Sequence, residues 1–91
     1  MLDHERKAIS ERELRGVPLW LVREYLEQLG GRLDADGLFQ GPGWRARLTE
    51  LEDYQLGSLR VARLQLELQG DAGSVERATQ ALDKRLLRAG G

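Results

Sequence analysis

Trp44 to Gly70 reads WRARLTELEDYQLGSLRVARLQLELQG, and its alternation decides the fold. Trp44, Ala46 and Leu48 alternate with Arg45, Arg47 and Thr49, and Leu64, Leu66 and Leu68 alternate with Gln65, Glu67 and Gln69. A period of two belongs to strands that bury one face and leave the other in water. Tyr54, Leu56, Leu59 and Val61 flank Gly57-Ser58, the Gly-X pair that a two-residue type II′ hairpin turn requires. Val61 to Leu64 is an odd step. It predicts a bulge or kink at Ala62-Arg63 that returns the apolar side chains to a single face.

Working upstream, Leu38 and Phe39 form a short strand, and Gly41-Pro42-Gly43 turns the chain into Trp44. Before them, Val22, Leu26 and Leu29 lie at helical spacing, with Leu21 and Tyr25 beside them and Arg23, Glu24, Glu27 and Gln28 opposite. Pro18 suits the first turn of this helix, and Gly30-Gly31 ends it. Arg12 to Val17 reads as a short first strand. Met1 to Glu11 is dense in alternating charge and reads as an extension or marginal helix, so the folded domain is taken as residues 12–91. Downstream, Gly70 and Gly73 break the strand, and Ser74 is the expected N-cap of a last helix, with Asp71 as its rival. Val75, Ala78, Leu82 and Leu86 form that helix's apolar stripe, and Arg85 and Arg88 suit its C-terminal end. The predicted order is β-α-β4-α. It makes an α+β domain with an antiparallel sheet of four to five strands, two helices on one face and the other face open.

Composition narrows the chemistry. The chain has 91 residues, 41% hydrophobic and 32% charged, which allows one small core. Lys plus Arg number 14 against 15 Asp plus Glu, so the net charge of -1 leaves no basic footprint for nucleic acid. No Cys is present and His4 is the single histidine, which excludes disulfides, thiolate metal sites, Cys nucleophiles and His-rich sites. The longest apolar stretch, Val17 to Val22, is too short for a membrane span or a signal-peptide core, so a cytoplasmic location is expected. Arg in large excess over Lys, with no Asn, is a thermophile-like composition.

Three stretches carry a resemblance: PLWLVREYLEQLGG (Pro18 to Gly31), GLFQGPG (Gly37 to Gly43) and GSLRVARLQLELQG (Gly57 to Gly70). Together they resemble the C-terminal domain of proteins related to the molybdopterin-synthase small subunit (MoaD) in Thermus and Deinococcus-type bacteria, a family of unknown function. The resemblance implies a TATA-box-binding-protein-like fold and supplies no catalytic residues. In those proteins the domain follows a ubiquitin-like sulfur-carrier module. Here a charged stretch of about fifteen residues precedes it, which points to a stand-alone partner or a diverged copy.

Two candidate sites follow. Arg45, Arg47, Gln65, Glu67 and Gln69 point outward together as an interaction face; the alternative is a solvated face with weak cross-strand ion pairs. The terminal Gly90-Gly91 is the second, because modifiers and sulfur carriers end in a slender diglycine that reaches an adenylating site. Its alternative is a glycine helix end. Trp20 and Trp44 are expected as core anchors, Trp20 falling off the helix stripe, where a sheet edge or dimer contact would also suit it. His4 lacks the partners of a catalytic histidine. Glu50-Leu51-Glu52-Asp53 lacks Ca2+-loop spacing, and Gly41-Pro42-Gly43 lacks a phosphate-loop context. The chain therefore reads as a non-enzymatic accessory or interaction domain. It needs no cofactor or metal, and its partner is another protein or a second copy of itself. A carrier activated at Gly91 is the alternative.

Overall fold

The structure, a computed structural model, describes the backbone of residues 6–90 and the side chains of residues 6–88. His4 and Gly91 lie outside the described residues. The chain runs β1 (Lys7–Arg15), α1 (Leu19–Gln28), β2 (Arg32–Leu33), β3 (Phe39–Gly41), β4 (Trp44–Leu56), β5 (Leu59–Asp71) and α2 (Ala72–Gly90). The strands form one antiparallel sheet in the order β1-β5-β4-β3-β2. The expected α+β class and β-α-β4-α order both hold, in an arrangement compatible with a TATA-binding-protein-like fold.

Both helices share one core with a single face of the sheet. Leu14 of β1, Phe39 of β3, Trp44 and Ala46 of β4, and Leu64, Leu66 and Leu68 of β5 bury against Val22, Leu26, Val75, Ala78 and Leu82. Each fully buried Leu contributes about 1.5–3 kcal/mol relative to exposure. α1 ends as its glycines require. The N–H of Gly31 donates to the Leu26 carbonyl (2.9 Å) and that of Gly30 to the Glu27 carbonyl (3.0 Å), a Schellman pair that needs the left-handed φ of 97° at Gly30.

β1 begins at Lys7, so residues 7–11, read from the sequence as extension or marginal helix, are strand. Pairing supplies the reason. β1 lies along β5 from Lys7 opposite Asp71 to Arg15 opposite Arg63. The side chains it turns to the helices are Ala8, Ser10, Arg12 and Leu14, of which Leu14 alone is large and apolar. Arg12 is held there by an ion pair with Asp83 of α2. The sheet's four later strands also divide differently from expectation: Arg32–Leu33 is a strand, while β4 and β5 each run unbroken for 13 residues.

At the start of α2 the rival cap prevails. Asp71 Oδ2 accepts from the Ser74 N–H (3.0 Å) and from the Ser74 hydroxyl (3.1 Å), so Asp71 is the N-cap and Ser74 sits in the first turn. β5 passes through Gly70 without a break, and Gly73 lies inside the helix.

Candidate interaction face

The uncovered face of the sheet is set by strand parity. Arg45 lies opposite Gln69, Arg47 opposite Glu67, and Thr49 opposite Gln65, and β1 continues these rows with Ile9, Glu11 and Glu13. Gln40 of β3 and Arg32 of β2 extend the row of Arg45 on the far side. The five residues expected on this face, Arg45, Arg47, Gln65, Glu67 and Gln69, therefore stand together. Arg45 and Arg47 are exposed and the other three half-buried. Charges of both signs stand on the face. Arg32, Arg45 and Arg47 lie on β2 and β4, while Glu67, Glu11 and Glu13 lie on β5 and β1 together with Lys7, Arg15 and Arg63. At the end of the face nearest α2, Lys7, Gln40, Arg45, Gln69 and Asp71 rim a depression of about 440 Å3.

The hairpin closes as its sequence requires. Leu56 pairs with Leu59 around Gly57-Ser58, Gly57 has φ 62°, and among the described residues no non-glycine, Ser58 included, has positive φ, which is the type II′ arrangement. The irregularity expected at Ala62-Arg63 belongs to the opposite strand. Leu51 pairs with Arg63 and Tyr54 with Val61, so Glu52 and Asp53 of β4 together oppose Ala62. The Glu52 carbonyl accepts from the Arg63 Nε (2.8 Å), which ties the bulge to β5.

This placement overturns the expectation of one apolar face throughout. β5 keeps its alternation, so Val61 and Leu59 lie on the face opposite Leu64, and Leu51, Tyr54 and Leu56 lie beside them. Past the ends of β1 and β3, β4 and β5 continue as a two-stranded arm whose apolar side is the open side. Leu56 is 57% exposed, Leu59 64% and Tyr54 39%. Sequence reasoning named these residues as turn flanks and missed the patch they make, although the odd Val61-to-Leu64 step was its signal.

Where arm meets body, the face is fastened by charge. The Arg15 guanidinium lies over the Tyr54 ring, 4.7 Å from its centre. Glu13 accepts from Arg15 Nε (2.6 Å) and Arg63 Nη1 (3.4 Å). The Arg15 hydrogen bond, helped by Arg63, holds the Glu13 carboxyl below its usual value. Along the outer edge of β4, pairing with β3 covers Trp44 to Ala46 only. Beyond it the edge carries Glu50, Glu52 and Asp53.

Trp44 is a core anchor, 4% exposed, but Trp20 is 65% exposed, contrary to expectation. It lies off the buried α1 stripe of Val22 and Leu26 and is not among the α1 side chains, Leu19, Leu21 and Tyr25, that pack beside it on the core. Gly90 is the last residue of α2, and Gly91 lies outside the described residues. Among the described residues no group of three His, Cys, Asp or Glu side chains could hold a metal ion, and no helix is long and apolar enough to cross a membrane.

Residues 10–91 match the sequence model of a family described as archaeal MoaD-like protein. A comparison with curated proteins gives no match.

Proposed function

The chain belongs to the archaeal MoaD-like protein family, and from that premise we propose that it is a non-enzymatic interaction domain that binds a protein through the open face of its sheet. Within the family we place it beside the Thermus and Deinococcus-type C-terminal domains, on the three stretches between Pro18 and Gly70. The partner is a protein of sulfur-carrier or molybdenum-cofactor metabolism, or a second copy of the chain, and the setting is the cytoplasm. One observation carries the reading. Five strands bring Arg45, Arg47, Gln65, Glu67 and Gln69 onto one surface with the apolar arm, while both helices occupy the other side. Charges of both signs beside exposed apolar side chains are the anatomy of a recognition surface.

Affinity capture from native extract tests the proposal. The wild-type chain is expected to retain a specific protein, and the Arg45→Glu/Arg47→Glu variant to lose it while keeping its circular dichroism. Equal capture by both removes the face from the function.

The alternative, a carrier activated at Gly91, is favoured by a family match that reaches the terminal diglycine. Its test is mass spectrometry after incubation with ATP and a cognate activating enzyme. An adenylate or thiocarboxylate at Gly91 would establish it, and an unchanged mass beside a modified control carrier would remove it.

A further inference from the structure

We infer that the open face docks on the same face of a second copy of this chain, about a two-fold axis running along the β4–β5 ladder. The inference rests on the reading of this face as a recognition surface and names its occupant.

The arm supplies the first reason. Tyr54, Leu56, Leu59 and Val61 share the open side of a two-stranded ribbon that pairs with neither β1 nor β3, and Leu51 adjoins it on the row where β1 ends. An isolated ribbon of two strands is marginal in water, and a contiguous exposed apolar patch marks a surface that another surface covers.

The distribution of charge selects the occupant. Across the β4–β5 ladder Arg47 of β4 lies opposite Glu67 of β5 and Arg45 opposite Gln69, while Glu13 of β1 is already paired with Arg15 and Arg63 on the same face. A two-fold axis along the ladder exchanges β4 with β5 between the copies. Arg47 of each copy then lies over Glu67 of the other, and Tyr54 and Leu56 lie over Val61 and Leu59. At these positions of the ladder the face is complementary to itself in charge and in apolar surface, as an isologous interface requires. Sheets stacked in this way keep their strands nearly aligned.

The size is sufficient. The axis lays β4 over β5 and β3 over β1, and with 13 residues in each of β4 and β5 and three in β3, ~3.3 Å rise and ~4.8 Å spacing give an overlap of about 500 Å2 in projection. Side-chain relief raises this toward the ~800 Å2 per partner of a stable interface.

Sedimentation equilibrium of the full chain tests the inference. The expected mass is that of two chains, with dissociation on dilution. Leu56→Glu, at the exposed arm tip, is expected to weaken association roughly ten-fold or more with unchanged circular dichroism. Arg47→Glu and Glu67→Arg are each expected to be monomeric, because each sets like charges face to face. Mixed together they are expected to form a heterodimer, since both facing pairs are then of opposite sign. A wild type that stays monomeric at every concentration overturns the inference. So does a dimer indifferent to Leu56→Glu, or a mixture of folded variants that does not associate. A monomer that still captures another protein through Arg45 and Arg47 leaves the proposed function standing without self-association.

Discussion

Gly57 and Gly70 both hold positive φ, at 62° and 148°, but a methyl group meets different surroundings at each. At Gly57 it would find open space, so Gly57→Ala is expected to cost only the backbone penalty of about 1–2 kcal/mol. At Gly70 it would strike the Gly43 carbonyl oxygen and come within 2.8 Å of the Trp44 Cα. Gly70→Ala is therefore expected to be the more damaging change, and urea unfolding of the two variants measures the difference. Two aspartates give stability a defined pH dependence. The Ser74 backbone N–H holds the Asp71 carboxyl below its usual value, and the Gln40 side chain, with the Leu38 N–H, does the same for Asp34. A carboxyl whose folded value lies below its unfolded value stabilises the fold above the unfolded value, and that contribution is lost as pH falls through the folded one. Unfolding midpoints are expected to decline as pH drops below about 4, and Asp71→Asn is expected to flatten that decline. The cap was only half legible in the sequence. Asp71 and Ser74 are both good N-caps, and the choice depended on β5 running through Gly70, which the pattern did not suggest.

At the scale of elements, the two halves of the long hairpin are expected to respond in opposite ways. Leu66 is fully buried under the helices, so Leu66→Ala is expected to cost about 2–5 kcal/mol in chemical denaturation. Leu56 lies in the arm, and Leu56→Ala on the dilute monomer is expected to change stability by no more than about 0.5 kcal/mol. Amide exchange reads the same contrast along one strand. Amides of β5 between Leu64 and Leu68 are expected to exchange much more slowly than those between Leu59 and Val61, because β1 and the helices cover the first group alone. These elements differ in how far the sequence announces them. α1 is legible because stripe, leading proline and double glycine all agree. β1 is obscured because its buried side is Ala8, Ser10, Arg12 and Leu14, and Arg12 belongs inside only through Asp83, 71 residues away. The arm's facing was missed for a different reason. A single core was assumed, so the odd step at Val61 was assigned to a kink in β5, when the alternation itself already placed Val61 opposite Leu64. Trp20 shows the same limit, because its size argued for burial while its position on α1 argued against.

The whole molecule measures 53 × 28 × 20 Å, and the arm lies along its longest direction. Stacking two copies about an axis parallel to the strands thickens the particle and leaves its length nearly unchanged. Small-angle scattering is therefore expected to show a dimer whose maximum dimension scarcely exceeds the monomer's, whereas end-to-end association would nearly double it. The candidate face was legible at this scale, since alternation alone selects Arg45, Arg47, Gln65, Glu67 and Gln69. Its Arg15–Glu13–Arg63 cluster was not, because that depends on β1 joining β5, far away in sequence. The outer edge of β4 has a separate consequence. From Arg47 to Leu56 this edge lies beyond the pairing with β3, yet any β4 laid against another would bring Glu50, Glu52 and Asp53 close to their own kind. These carboxylates act as gatekeepers against growth along that edge, and the Glu50→Val/Glu52→Val variant is expected to yield cross-β fibrils, read by amyloid-dye fluorescence, under conditions where the wild type stays clear.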